Sequence, residues 1–140
     1  MPDGKLKVVI ATPERKVWEE READAVMLPS VAGQLMVLPG HEPLMFLMDT
    51  GDAMIRVGDR EEWFFVDKGF VEVLDDEVVV CPEVSEHAKE IDVERAKRAL
   101  KRAEQRLASQ APDIDVARAE YALRRALYRL QAVERYSGSS

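Results

Sequence analysis

The feature that most constrains this chain is where its glycines stop. Glycine occurs at positions 4, 33, 40, 51, 58 and 69, and then not again until Gly138. Pro and Gly punctuate the first part into short segments, whereas from Ser85 onward Ala, Arg, Leu and Glu dominate, all strong helix formers. Charge changes at the same point. Residues 1–84 carry 8 Lys/Arg against 18 Asp/Glu, a net of −10, while residues 85–140 carry 12 against 9, a net of +3. A chain that changes backbone chemistry and charge sign together is expected to have two parts, 1–84 and 85–140. An acidic part and a basic part either attract one another or serve different partners.

The acidic part reads as strands. Lys5-Leu6-Lys7-Val8-Val9-Ile10 begins with alternation and stops at Ala11-Thr12-Pro13. Val17-Trp18, Ala25 to Leu28, Gln34 to Leu38, Met54 to Val57, Glu62 to Val66, Phe70 to Val73 and Glu77 to Val80 follow. They are rich in β-branched and aromatic residues and are separated by turn residues at Pro29-Ser30, Ala32-Gly33, Pro39-Gly40, Thr50-Gly51-Asp52, Gly58-Asp59 and Asp75-Asp76. Strands spaced in this way predict an antiparallel sandwich or barrel.

The basic part reads as two helices joined by a proline-bearing break, Ser109 to Asp113, of a length that joins antiparallel neighbours. Ile91, Ala96, Ala99, Leu100, Ala103 and Leu107 follow i, i+3, i+4 spacing. Ile114, Ala119, Ala122, Leu123, Ala126, Leu127, Leu130 and Val133 repeat it. Ile91-Asp92-Val93-Glu94-Arg95-Ala96 also recurs as Ile114-Asp115-Val116-Ala117-Arg118-Ala119, and each copy sets an Asp where it can cap a helix start. Alanine stripes bury little area at about 25 cal/mol per Å². Such a hairpin needs another surface to pack on, which makes it a candidate movable element.

Several function classes are excluded or disfavoured. The net charge of −7 over 140 residues argues against a general nucleic-acid binder, and the apolar runs are far short of the roughly 20 residues a membrane span needs. No basic segment leading into an apolar one opens the chain, so a secretory signal is not expected. A single cysteine, Cys81, rules out an internal disulfide and fits a buried, inert thiol in a reducing compartment. His41, between Gly40 and Pro43, reads as a turn or interface residue. His87 reads as a linker residue that could approach a ligand through its neighbour Glu86. Met36, Met45, Met48 and Met54 read as core or interface filler. No Gly-rich phosphate loop with Lys-Ser/Thr and no nucleophile–base pair is present. The arginines leave two readings open. Arg118, Arg125 and Arg129 share one helix face, and Asp92, Arg95 and Arg102 lie on about one face of the other. They form either a solvated, ion-paired surface or a site for a polyanion, because Arg forks match phosphate oxygens.

Gly33-Gln34-Leu35-Met36-Val37-Leu38-Pro39-Gly40-His41-Glu42-Pro43-Leu44 resembles the G-x-x-G-[VI]-L-P-x-H-x-P-L segment of ATP synthase epsilon subunits. Val9 to Arg15, Ala23 to Pro29, Gly69 to Val73, Glu90 to Ala96 and Ala126 to Leu130 continue the match in the family's order. The resemblance implies a non-catalytic rotor part of a proton-translocating synthase, peripheral on the cytoplasmic face of the cell membrane. Its sandwich docks on the gamma subunit and the c-subunit ring, with His41, Pro43 and Leu44 at the interface. Its hairpin either folds on the sandwich or extends toward the alpha/beta catalytic head and blocks ATP hydrolysis. The resemblance further implies ATP as a regulatory ligand, with or without Mg2+ and with no catalytic cofactor. That ligand would be held by Glu86, Ile91, Asp92, Arg95, Ala96, Arg102, Arg125 and Arg129. Met36 and Lys68 depart from the family, each standing where it usually has glycine, the residue suited to positive φ or close approach. The competing functions are a stand-alone ATP sensor and an adaptor that binds only partner helices.

Overall fold

Alternation of apolar and polar residues carries the N-terminal part into strands, with one side chain in two turned inward. The computed structural model describes residues 4–138; Met1, Pro2, Asp3, Ser139 and Ser140 lie outside the described residues. The strands are β1 (Leu6–Ala11), β2 (Lys16–Ala23), β3 (Ala25–Ser30), β4 (Gly33–Val37), β5 (Leu44–Leu47), β6 (Gly51–Val57), β7 (Arg60–Asp67), β8 (Phe70–Leu74), β9 (Glu77–Cys81) and β10 (Val84–His87). One sheet runs β2-β1-β9-β8-β5 and the other β10-β7-β6-β3-β4. They stack as a sandwich whose strand pairs are antiparallel, as expected, except that β1 and β9 pair in parallel.

The core lies between the sheets. Leu6, Val8, Ile10, Val71, Val73, Val78 and Val80 face Val26, Leu28, Val37, Ile55, Phe64 and Val66, all 0–1% exposed. Each fully buried side chain of this kind contributes roughly 1.5–3 kcal/mol. Gly69 closes the β7–β8 turn with φ +94°, and a Cβ there would stand 2.0 Å from the Cys81 carbonyl oxygen. Lys68, beside it, holds φ 58°, so the side chain at this usual glycine position is carried on a left-handed backbone. Met36 lies within β4 with its side chain exposed, and needs no such conformation.

Three expectations need correction. Leu44 to Leu47 forms a strand on β8, unmarked in the sequence because Leu44-Met45-Phe46-Leu47 shows no polar alternation. The division at 84/85 falls inside β10, which pairs with β7 from Val84↔Asp67 to His87↔Phe64. His87 is therefore not a linker residue. It is 4% exposed, stacked on Trp18 at 4.8 Å and bonded through Nε2 to Glu62 Oε1 at 2.8 Å. Its Nδ1 accepts from the Lys89 backbone N–H and so caps a 3₁₀ turn at Ala88–Glu90. The methionines, expected as core or interface filler, divide without contradicting that reading: Met48 and Met54 are buried, whereas Met36 and Met45 are exposed.

Two helices follow, α1 (Val93–Ser109) and α2 (Val116–Gly138). Asp92 caps α1 by accepting from Arg95 N at 3.0 Å, and Asp115 does the same for Arg118 N at 3.1 Å, so both copies of the repeat act as helix starts. Ile91 and Ile114 precede the helices. Gln110 turns left-handed at the end of α1, which ends the helix as a C-terminal cap does. The two pack along a line of buried alanines, Ala96, Ala103, Ala119 and Ala126, while the buried Ala132 meets Phe65 of the sheet. Among the described residues no helix is long and apolar enough to cross a membrane.

Candidate functional site

The outward face of β6 and β7 is unusually apolar for a sheet exterior, and α2 covers it. Met54 and Trp63 gather Met27, Ala88 and Tyr136, and Phe65 packs with Ile91, Ala132, Tyr128 and Val133. Ile91, the residue just before α1, thus lies against α2 and the sheet at once. This anchors the antiparallel hairpin, bringing the α1 start beside the middle of α2.

Polar and cationic groups finish the contact. Arg129 Nε donates to Glu86 Oε1 at 2.7 Å, and its guanidinium lies 4.3 Å from the Phe65 ring centre. Tyr121 O–H donates to Asp67 Oδ2, while Thr50 Oγ1 donates to Asp67 Oδ1 at 2.7 Å. Burial, and then that bond to Asp67, pushes the Tyr121 hydroxyl up to about 12. Around the Tyr121 ring stand Lys68 Nζ at 4.2 Å, the Arg125 guanidinium at 4.7 Å and the Arg124 guanidinium at 5.8 Å. A cation over a desolvated ring gains up to about 2 kcal/mol, and less where water reaches it. Arg124 also faces Asp49 at 3.7 Å, and Arg135 lies over Trp63 at 5.2 Å.

The eight residues expected at a nucleotide site divide by this geometry. Glu86, Ile91 and Arg129 meet directly around Phe65. Ala96 is buried between the helices, and Asp92 is engaged as a cap. Arg125 is half-buried with Nε shielded from solvent and lacking a hydrogen-bond partner among the described residues. Arg95 and Arg102 are exposed on α1, and neither has a carboxylate partner among the described residues. Sequence spacing missed Phe65, Tyr121 and Lys68, which belong to the sandwich turn and to an aromatic stripe rather than to the arginine pattern. Among the described residues no three acidic, histidine or cysteine side chains are grouped to hold a metal.

The interface expectation has its own geometry. His41 N donates to the Leu38 carbonyl at 3.1 Å and closes the turn, with Nδ1 facing the Glu42 carbonyl at 2.7 Å. Pro43 is exposed, whereas Leu44 turns partly into the core. The exposed apolar side chains are its neighbours: Met45 and Leu47, both 63% exposed, with Phe70 and Leu74 on the adjacent strand.

A β-sandwich followed by a helical hairpin packed across one of its sheets defines a two-part class of protein. Residues 5–88 match the family description "ATP synthase, Delta/Epsilon chain, beta-sandwich domain", and residues 89–134 match its "long alpha-helix domain". The chain belongs to the ATP synthase epsilon chain family. It is 44% identical over 125 residues to the ATP synthase epsilon chain of Desulforamulus reducens, covering 89% of this chain and 94% of that one. It is 48% identical over 104 residues to that of Carboxydothermus hydrogenoformans, covering 74% and 77%. In fold it is similar to a chain of the Euglena gracilis mitochondrial ATP synthase OSCP/F1/c-ring structure, with a TM-score of 0.68 at 20% identity, covering 96% of this chain and 81% of that one. A chain of the Tetrahymena thermophila mitochondrial ATP synthase central stalk and c-ring structure gives 0.56 at 16% identity, with both chains covered in full.

Proposed function

We propose that this subunit is a non-catalytic part of the rotor, whose sandwich couples proton-driven rotation to ATP synthesis and whose hairpin regulates ATP hydrolysis. The exposed strip Met45, Leu47, Phe70 and Leu74 supports docking on the gamma subunit and the c-subunit ring, since clustered apolar side chains on a sheet face mark a protein interface. The subunit then works peripherally, on the cytoplasmic face of the membrane. The hairpin folded on the sandwich is the state that permits hydrolysis. Released, it extends toward the alpha/beta head and inhibits.

ATP favours the folded state in this reading, and the observation that carries it is the arrangement of Arg125 and Arg129. Both are held by aromatic rings, Arg125 retains an Nε without a hydrogen-bond partner among the described residues, and Arg129 pairs with Glu86. A polyphosphate offers these guanidinium groups the acceptors they lack, with Arg95 and Arg102 supplying further charge from α1. Charge-assisted bonds of this kind contribute roughly 1.5–3 kcal/mol each. Calorimetry with ATP and ADP on the full chain tests the reading. Arg125→Ala is expected to weaken ATP binding about tenfold or more, with ADP weaker than ATP in the unaltered protein. Absent heat at millimolar ATP, or equal affinity in Arg125→Ala, removes the sensing role and leaves the rotor role.

A further inference from the structure

Asp52 points out of β6 beneath α2, on the one sheet face that the hairpin covers. The residue is 4% exposed, and its Oδ1 is sealed from solvent with no hydrogen-bond partner among the described residues. Its other oxygen has one donor in reach: with the Gln131 amide turned to suit its surroundings, the nitrogen faces Asp52 Oδ2 at 3.3 Å and the oxygen accepts from Arg135 Nη2 at 2.8 Å. Arg135 on α2 is the charge that reaches Asp52, through the shared Gln131 amide; the other ionisable groups on the elements packed here have partners of their own. On β7, Asp67 takes bonds from Thr50 and Tyr121; on β10, Glu86 holds Arg129; and on α2, Arg124 faces Asp49. Next to Asp52 on β7 stands Phe65. A carboxylate in such a place has lost its water and gained one amide, which disfavours the charged form.

We propose that Asp52 is a proton-linked latch: the hairpin docks with a neutral carboxyl beneath it, and lifting the hairpin lets Asp52 hydrate and release its proton. The bond that breaks is the carboxyl O–H, and the proton goes to bulk water. Burial raises the Asp52 carboxyl to about 7 in the docked state, opposed by the Arg135 charge, against an ordinary value of 3.8. The sign follows from the raised value. The contribution to docking is fully present below the ordinary value and is lost as pH rises toward about 7. Docking should weaken by up to tenfold per pH unit between about 4 and 7, and level off above. Regulation by the hairpin then depends on local proton activity as well as on ATP. That the hairpin leaves the sheet is the reading given under Proposed function, whereas the buried carboxyl belongs to the docked geometry alone.

Two measurements on the full chain separate the two ideas. Carbon-detected NMR titration of the aspartate carboxyls should find Asp52 ionising near 7, and ionisation near 4 overturns the latch. Hairpin opening, read by Trp63 fluorescence and by hydrogen exchange in α2, should become more frequent as pH rises from 5 to 7. Asp52→Asn keeps the shape, removes the proton and should flatten that dependence. The same pH slope in Asp52→Asn and wild type overturns the latch. A hairpin that never opens at any pH while Asp52 still titrates near 7 counts against regulation by release and leaves the proton site standing.

Discussion

The sandwich and the hairpin bury their contacts with different chemistry. Between the sheets, large aliphatic and aromatic side chains from both sides are sealed to 0–1% exposure, so each contributes transfer energy wherever the helices stand. The helices meet through alanines and hold the sheet through ring–cation contacts, the Tyr121 bond to Asp67, ion pairs at Glu86 and Asp49 and a small apolar cluster at Phe65. Interactions of the second kind are individually weak, sensitive to charge, and open to exchange for contacts with a ligand or partner. One chain can thus carry an element of global stability beside one whose attachment is an equilibrium.

The largest expected effect comes from breaking the first kind. Phe64→Ala should cost about 3–5 kcal/mol and lower the melting temperature of the whole chain, read by circular dichroism and calorimetry. Next, a chain ending at Glu90, just past β10 and its 3₁₀ turn, should keep a β-type spectrum and one cooperative transition. A molten product would mean that the sandwich needs α2 over Trp63 and Phe65. Smaller is Tyr121→Phe, which leaves Asp67 with Thr50 only. It should loosen α2 by about 1–3 kcal/mol, visible as faster exchange in α2, with little change in β1 or β9. In the unaltered chain this contact should hold to about pH 10 and be lost as the hydroxyl ionises toward 12, because its docked value is raised. Smallest is Lys68→Gly. It relieves a left-handed backbone at φ 58° but removes the contact with Tyr121. The sandwich melt should shift by less than about 1 kcal/mol, while the hairpin opens more often.

Much of this architecture is legible in the sequence, and particular residues show why. Val8 and Ile10, or Val71 and Val73, announce a half-buried strand by period alone, and the two Ile-Asp copies announce two helix starts. Leu44 to Leu47 does not, because exposed Met45 and Leu47 erase the alternation. β10 escapes for another reason: Ser85 and Glu86 read as the polar opening of the basic part, and only pairing with β7 makes them a strand. At the site, the arginines are visible as a helical stripe. The rings that hold them and the carboxylates beneath are not, since Phe65, Asp67 and Asp52 come from strands distant in sequence. Asp52 in particular reads as a turn residue after Thr50-Gly51, and becomes a buried acid only once α2 covers it.

Native-state hydrogen exchange of the full chain, across a denaturant series with and without ATP, tests most directly that the hairpin is held reversibly on a self-sufficient sandwich. Amides of β1, β6, β7 and β9 should exchange only through global unfolding. Those of α1 and α2 should exchange through a separate opening of lower free energy, which ATP suppresses. Helix and strand amides converging on a single free energy, unchanged by ATP, would contradict that reversible hold.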